Sequence, residues 1–184
     1  MPISPRASIL PLTSSTGEED LPAIHPDAFV ADGARLVGSV ALGEGTSVWY
    51  NAVVRGDMAP ISIGPFSNIQ DNVSVHVDAS HPVEIGEYVS VGHNAVVHGC
   101  VIGDGALIGM GSVVLSGAVV GAGSLVAGGA VVLEGTEIPP RSLVAGVPAK
   151  VRRELTDDEV EGLRGNAERY LAIAERHGAG LAAG

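Results

Sequence analysis

Three histidines, His76, His93 and His98, lie close together in a stretch of this 184-residue chain that otherwise prefers small aliphatic residues and glycine. Imidazole nitrogens are common ligands of zinc and related metals, at distances of about 2.0 to 2.1 Å. Three such ligands leave a tetrahedral metal with one open position, the arrangement that activates water. A metal site is therefore the first chemical hypothesis.

A six-residue repeat predicts the elements that position these histidines. Its clearest run reads IGDGAL, IGMGSV, VLSGAV, VGAGSL, VAGGAV and VLEGTE. A unit this short forms one strand and one corner, and it buries its aliphatic residue only when stacked on other units. The repeat predicts a parallel β-helix over roughly 30–149. Its aliphatic openers are placed at 30, 36, 42, 48, 54, 63, 69, 75, 85, 91, 97 and 102, and then at every sixth position to 144.

The repeat is interrupted at three places. About three residues are inserted near 58–62 (MAPIS) and about four within 77–82 (VDASHP), and one is deleted at Cys100 and Val101. Loops that break a solenoid repeat on one side often carry its binding surface.

Counting units gives the histidines a register. Three hexapeptides make one coil, so the openers at 54, 75 and 97 stack on one face, and the residue after each points outward. This predicts that His76 and His98 stand one above the other with Arg55 below them. His93 instead falls on the adjoining face above Asp71. Because side chains leaving different faces of a convex prism diverge, a second chain supplies the third ligand more easily, which favours a trimer.

Composition excludes several classes of protein. The net charge is -11, and the Lys/Arg residues form no cluster larger than the run Lys150, Arg152 and Arg153, so neither nucleic acid nor a membrane is an expected partner. The single cysteine, Cys100, excludes an internal disulfide framework. No signal peptide or apolar span is evident, and the expected location is the cytoplasm.

The chain divides into three predicted segments. Residues 1–21 are rich in Pro, Ser and Thr and are expected to form a flexible arm. Residues 22–150 form the β-helix domain. In the segment 151–184, a capping box of Thr156 and Glu159 opens an amphipathic helix predicted over 156–176, followed by a tail.

In the stretches around its three histidines, the chain resembles the γ-class carbonic anhydrases and their close relatives, a family with a left-handed parallel β-helix. The resemblance extends from residue 22 to about 174. It rests on VVRGD (53–57), NIQDNVSVH (68–76) and VGHNAVVHGC (91–100), with IGMGSVVLSGAVV (108–120) and VAGVPAK (144–150) in support. It implies an all-β, left-handed β-helix with a C-terminal α-helix, and an enzyme that hydrates carbon dioxide reversibly to bicarbonate with a metal-bound hydroxide.

The same resemblance implies a homotrimer with one metal at each subunit interface. The metal would be zinc, or alternatively iron or cobalt, held by His76 and His98 of one chain and His93 of the next. Further catalytic-site roles fall to an interface ion-pair set (Arg55, Asp57 and Asp71) and to pocket residues beside the metal (Gln70 and Asn68).

Two features depart from the family pattern. Met58 follows the RGD motif where the family archetype has a glutamate, and the loop after His76 is short rather than long and acidic. Asp78, His81 and Tyr170 are the candidates for proton transfer in their place. The proton route, and with it the turnover, is left open by the sequence.

Two other functions compete with this hypothesis. Hexapeptide solenoids also serve as acyltransferases that use coenzyme A, but such enzymes need one catalytic histidine rather than three in a metal register. The other alternative is a non-catalytic subunit in which the metal locks a trimer.

Overall fold

The computed structural model describes residues 1–13, 17 and 19–182. Short parallel strands wind into a three-sided prism, and a single helix, Asp157–Ala182, follows the last coil. The predicted fold, a parallel β-helix with a C-terminal helix, is confirmed. None of the described helical residues forms a segment with the length and hydropathy of a membrane span.

Face 1 is an eight-stranded sheet in which one strand of each coil pairs with the next. Only its last strand is antiparallel. The strands are Phe29–Val30, Ser47–Val48, Asn68–Ile69, Ser90–Val91, Leu107–Ile108, Leu125–Val126, Ser142–Ala145 and Lys150–Glu154.

Faces 2 and 3 join into one twelve-stranded sheet, because Arg35–Leu42 and Val53–Ile63 are long enough to turn the corner between them. Face 2 continues with Ser8–Leu10, Ser74–His76, Val96–His98, Val113–Val114 and Val131–Val132. Face 3 continues with Ala23–Ile24, Val83–Ile85, Val101–Ile102, Val119–Val120 and Glu137–Ile138.

The interior is a column of aliphatic side chains. Every opener placed from the sequence points inward, and none is more than 4% exposed. Strand residues alternate between the two sides, so the residue beside each opener faces outward. The insertion near 58–62 lies within the long strand Val53–Ile63, beside a bulge between Gly38 and Val40.

The N-terminal residues differ from the flexible arm expected over 1–21. Ser8–Leu10 pairs in parallel with the first coil, and Ile3 bridges to Val30. Leu12–Thr13 and Glu19–Asp20 form a separate antiparallel pair. The end of a solenoid presents an unpaired strand edge that needs a cap, and a cap requires no six-residue repeat. Periodicity therefore gives no sign of it. Residues 14–16 and 18 of the predicted arm lie outside the described residues.

The C-terminal helix begins as predicted but ends later. The capping box is present, with the backbone N of Thr156 2.9 Å from Oε2 of Glu159 and the Glu159 N 3.3 Å from Oγ1 of Thr156. The helix then continues six residues beyond the predicted end at 176, to Ala182. His177 explains the extension, because its ring packs 5.1 Å from Trp49 and bonds the Tyr50 hydroxyl at 2.8 Å. The predicted segment boundary at 150 also differs, since it falls within the strand Lys150–Glu154.

Two adjacent valines on face 3 test the inward register. Val120 is fully buried between Ile102 and Ile138, whereas Val119 is 38% exposed. We expect Val120→Ala to lower the free energy of unfolding by about 2 kcal/mol, because it removes two buried methyl groups and leaves a cavity. Val119→Ala should change it by less than about 0.5 kcal/mol. Urea denaturation measures both values, and equal losses would contradict the register.

Candidate metal centre

His76 and His98 stand one above the other on face 2, as the register predicts. Strand pairing aligns His76 with Arg55 on one side and with His98 on the other. The two rings lie 5.0 Å apart between centroids, and Nδ1 of His76 is 3.1 Å from Nε2 of His98. Two nitrogens bound to one tetrahedral metal are about 3.3 Å apart, so this spacing suits a shared ion.

The hydrogen bonds of these imidazoles indicate which nitrogens carry protons. Nε2 of His76 lies 2.9 Å from a carboxylate oxygen of Asp57, which can only accept, so this nitrogen is the donor. Nδ1 of His98 lies 2.9 Å from the Ser116 hydroxyl. That hydroxyl donates its own proton to Asp78 at 2.7 Å and therefore accepts from the imidazole.

The two imidazole nitrogens that face each other therefore each present a lone pair. When both imidazoles are neutral, Nδ1 of His76 and Nε2 of His98 have no proton left to share, because each ring already donates from its other nitrogen. Two lone pairs at this distance repel each other unless a cation lies between them. The gap is therefore suited to a proton or a metal ion.

Arg55 and Asp57 lie beside this pair, as expected. Arg55 contacts the Asp57 carboxylate directly. Burial alone raises the pKa of Asp57, but hydrogen bonds from His76 and Arg55 outweigh that effect and hold the pKa below its usual value. The carboxylate stays ionised at neutral pH and remains an acceptor for His76.

His93 lies over Asp71 at the edge of face 1, which is also the predicted register. Its Nδ1 is 2.7 Å from a carboxylate oxygen of Asp71, and its Nε2 is 3.2 Å from the hydroxyl of Tyr170 on the C-terminal helix. The carboxylate accepts the Nδ1 proton, which leaves a lone pair on Nε2. Burial first, and the charge of Asp71 second, raise the pKa of Tyr170. The phenol therefore keeps its proton and donates it to His93.

Asn68 and Gln70 form a buried chain of amides behind His93. Oε1 of Gln70 accepts from the His93 backbone N at 3.2 Å, and its Nε2 donates to Oδ1 of Asn68 at 3.0 Å. Asn68 in turn donates to the Ser90 hydroxyl at 2.9 Å, which also accepts from Asn166 of the helix at 2.9 Å. The chain links the helix to the backbone of a candidate ligand.

Within one chain, the candidate residues fall into two separate groups. Among the described residues, no hydrogen bond or ion pair joins the face 2 group to the group around His93. The described part of the chain likewise holds no cluster of three or more His, Cys, Asp or Glu side chains placed to bind one metal. The members are Arg55, Asp57, His76 and His98 in the first group, and Asn68, Gln70, Asp71, His93 and Tyr170 in the second.

Ser116 and Asn166 also belong to these hydrogen-bond networks and are not among the residues predicted from the sequence. Ser116 lies two positions past Val114, which pairs with Val97, so a count carried one coil further places it near His98, but the count does not distinguish it from the other small residues of the repeat. Asn166 gives no such signal, because its position depends on how the helix packs. Cys100 plays no part in the site: burial raises the pKa of its thiol to about 12, so it is no thiolate ligand.

Comparison with known proteins bears on the fold and the family of the chain. A family described as "Bacterial transferase hexapeptide (six repeats)" matches residues 99–134. A crystal structure of a hexapeptide transferase family protein from Anaplasma phagocytophilum superposes with a TM-score of 0.85 at 36% identity, covering 91% of this chain and 96% of that one.

Two relatives are named as carbonic anhydrases. A Methanocaldococcus jannaschii protein named "Probable carbonic anhydrase" is 55% identical over 152 residues, which cover 83% of this chain and 96% of that protein. "Gamma carbonic anhydrase 2, mitochondrial" of Arabidopsis thaliana is 42% identical over 162 residues, 85% of this chain but 58% of that protein.

The fold and the repeat define a hexapeptide-repeat solenoid protein with paired histidines on its surface. Within that class, the identity to these relatives over most of the chain decides the family: this chain belongs to the γ-class carbonic anhydrase family. The resemblance noted from its motifs is thereby confirmed.

The amide chain behind His93 yields a stability prediction. Asn68 is only 1% exposed, so Asn68→Ala leaves the buried amide nitrogen of Gln70 without its acceptor and removes one of the two donors to the Ser90 hydroxyl. We expect the free energy of unfolding to fall by about 1 to 3 kcal/mol. Asn166→Ala removes a partly buried amide from the same hydroxyl, and it should cost less because water can replace the lost bond. Urea denaturation of both variants measures the difference, and a larger loss for Asn166→Ala would contradict this account.

Proposed function

We propose that this chain forms a homotrimer in which His76 and His98 of one protomer and His93 of the next bind one metal ion, and that this site hydrates carbon dioxide reversibly to bicarbonate. The observation that carries the proposal is the pair of converging lone pairs on face 2. Membership of the γ-class carbonic anhydrase family supports the choice of reaction.

The three imidazoles suit a metal ion because of which nitrogen carries the proton, as well as because histidine is a common metal ligand. Each donates from one nitrogen to a fixed acceptor (Asp57, Ser116 or Asp71) and keeps a lone pair on the other. Metal-binding histidines almost always have such a partner on the second nitrogen, because it fixes the tautomer and the ring orientation. Nitrogen ligands suit zinc, which we favour, and also iron or cobalt.

The proposal that two chains share the site follows from the prism shape. His93 leaves the edge of face 1, while the pair leaves face 2, so the side chains of one chain diverge. Three copies around a threefold axis would bring each His93 to a neighbouring pair and would form three equivalent sites.

A metal ion bound there would supply the Lewis acidity that activates water at neutral pH. The chain's own residues would orient the reacting oxygen and transfer protons. Gln70, held by Asn68 and placed beside the His93 backbone, would hydrogen-bond the reacting oxygen. Tyr170, protonated and adjacent to His93, is our candidate for proton transfer, together with His81, which is bonded to the ionised Asp78 near the other face.

Complementation between two inactive variants tests whether the site is shared. His93→Ala and His98→Ala should each lose metal as homotrimers, because each lacks a ligand in all three sites. When the two chains are refolded together in equal amounts, about a quarter of the interfaces combine an intact pair with an intact His93. Metal content of the purified mixture, measured by mass spectrometry, should recover to about that fraction.

A site within one chain could not recover in this way, so a mixture that stays free of metal would contradict the proposal. His25→Ala is the matched control, since the His25 side chain lies at the surface away from both groups, where its Nδ1 accepts from the backbone N of Asp27 and lies 3.8 Å from the Asp27 carboxylate. It should retain full metal content and the same oligomeric state in size-exclusion chromatography with light scattering.

Gln70→Ala tests the reaction. With metal content unchanged, stopped-flow carbon dioxide hydration should slow about 10- to 100-fold, because a group that orients the reacting oxygen is lost. An unchanged rate would remove Gln70 from the mechanism. Wild-type protein that is trimeric and metal-loaded but inactive would favour a metal-locked assembly, and metal-free protein that binds acetyl coenzyme A would favour an acyltransferase.

A further inference from the structure

We propose that Ser116 and Asp78 are positioning residues that hold the His98 imidazole in the one tautomer able to bind a metal through Nε2. This inference rests on the proposed metal site and deepens it. It also assigns a task to Asp78 in the loop 77–82, which breaks the hexapeptide repeat.

The contacts form a directed chain. Asp78 can only accept, so the Ser116 hydroxyl donates to it at 2.7 Å and is left to accept from Nδ1 of His98 at 2.9 Å. His76 and His93 each donate to a carboxylate directly. His98 alone among the three reaches its carboxylate through a hydroxyl, which can point either way. Asp78 is what decides the direction of that hydroxyl.

The loop is built around the Asp78 carboxylate. Its Oδ1 accepts from the backbone N of Ser80 at 2.9 Å and from that of His81 at 3.0 Å. The His81 ring adds a third bond through Nδ1 at 2.9 Å. The other oxygen, Oδ2, lies 3.1 Å from the same ring nitrogen and also accepts from the Ser116 hydroxyl. The hydrogen bond from Ser116 first, and then those from Ser80 and His81, hold the pKa of Asp78 well below its usual range.

Gly99 lets the loop come this close. It follows His98 directly and has a φ of +54°. A Cβ there would lie 2.9 Å from both the His81 Cβ and the Ser116 Oγ. Any larger residue would push apart the two elements that the network joins. The chain therefore keeps the loop, the hydroxyl and the histidine within hydrogen-bonding reach.

Replacing Asp78 by asparagine should reverse the network rather than merely weaken it. The new amide can turn its NH2 group toward Ser116 and donate to the hydroxyl oxygen. The hydroxyl proton is then free to point at Nδ1 of His98, which favours the proton on Nε2. That tautomer offers no lone pair toward His76, so metal affinity should fall although the side chain keeps its size.

The experiment uses the full-length protein and three network variants: Asp78→Asn, Ser116→Ala and Ser116→Thr, which retains the hydroxyl. Ser80→Ala is the control, because the Ser80 side chain lies in the same loop and only its backbone N joins the network. Zinc affinity is measured by competition with a chelator. We expect Asp78→Asn and Ser116→Ala to bind zinc about 10- to 100-fold more weakly, as for other partners of metal ligands, with the two remaining variants close to wild type.

Nitrogen-15 NMR of the metal-free protein provides the second measurement, since it distinguishes a proton on Nδ1 from one on Nε2. His98 should carry its proton on Nδ1 in wild type and shift toward Nε2 in Asp78→Asn. Unchanged zinc affinity and an unchanged tautomer in folded variants would overturn the inference. Wild-type protein that binds none of zinc, iron or cobalt would instead overturn the proposed function, and the NMR comparison would still test Ser116 and Asp78. If Asp78→Asn does not fold, the comparison of zinc affinity between Ser116→Ala and Ser116→Thr tests the inference.

Discussion

The register between parallel coils is the constraint on which the rest of the molecule depends. Neighbouring strands of a sheet lie about 4.8 Å apart, and the two histidine rings on face 2 lie 5.0 Å apart because they occupy equivalent positions on adjacent coils. A slip of one residue would turn the buried neighbours Val75 and Val97 outward and both histidines inward. The aliphatic core thus determines the geometry of a polar site with which it shares no atoms.

The places where the repeat breaks supply what the repeat cannot. Positions within a hexapeptide are fixed by the core, so a group that must reach a histidine from the side needs a stretch outside the pattern. Asp57 stands at the start of the first interruption and contacts His76, and Asp78 stands in the second and reaches toward His98 through Ser116. Asp71, by contrast, lies within the repeat, because the residue above it is His93 itself. The two insertions therefore contribute side chains to the proposed site, whereas the deletion at Cys100 and Val101 does not.

Periodicity predicted the fold and the relative places of the histidines, because each is a matter of counting from one buried position to the next. It missed the strand Ser8–Leu10 and the end of the helix at Ala182, which depend on capping an open edge and on aromatic packing around His177. Ser116 escaped for a related reason: a lone hydroxyl at a corner looks like the other small residues of the repeat. Its importance lies in the direction of one proton, which spacing does not encode.

The two halves of the proposed site differ in how well one chain satisfies them. Nε2 of His93 already accepts a hydrogen bond from Tyr170, so this half of the proposed site has its hydrogen-bonding groups satisfied within a single chain. The face 2 pair is not, since its two lone pairs face each other across 3.1 Å. A cation relieves that repulsion, whereas His93 must exchange the phenol for a metal. In the proposed site, the pair would then bind the ion first and His93 of a neighbour would complete the ligand set, so assembly of the trimer and completion of the metal shell would be one event.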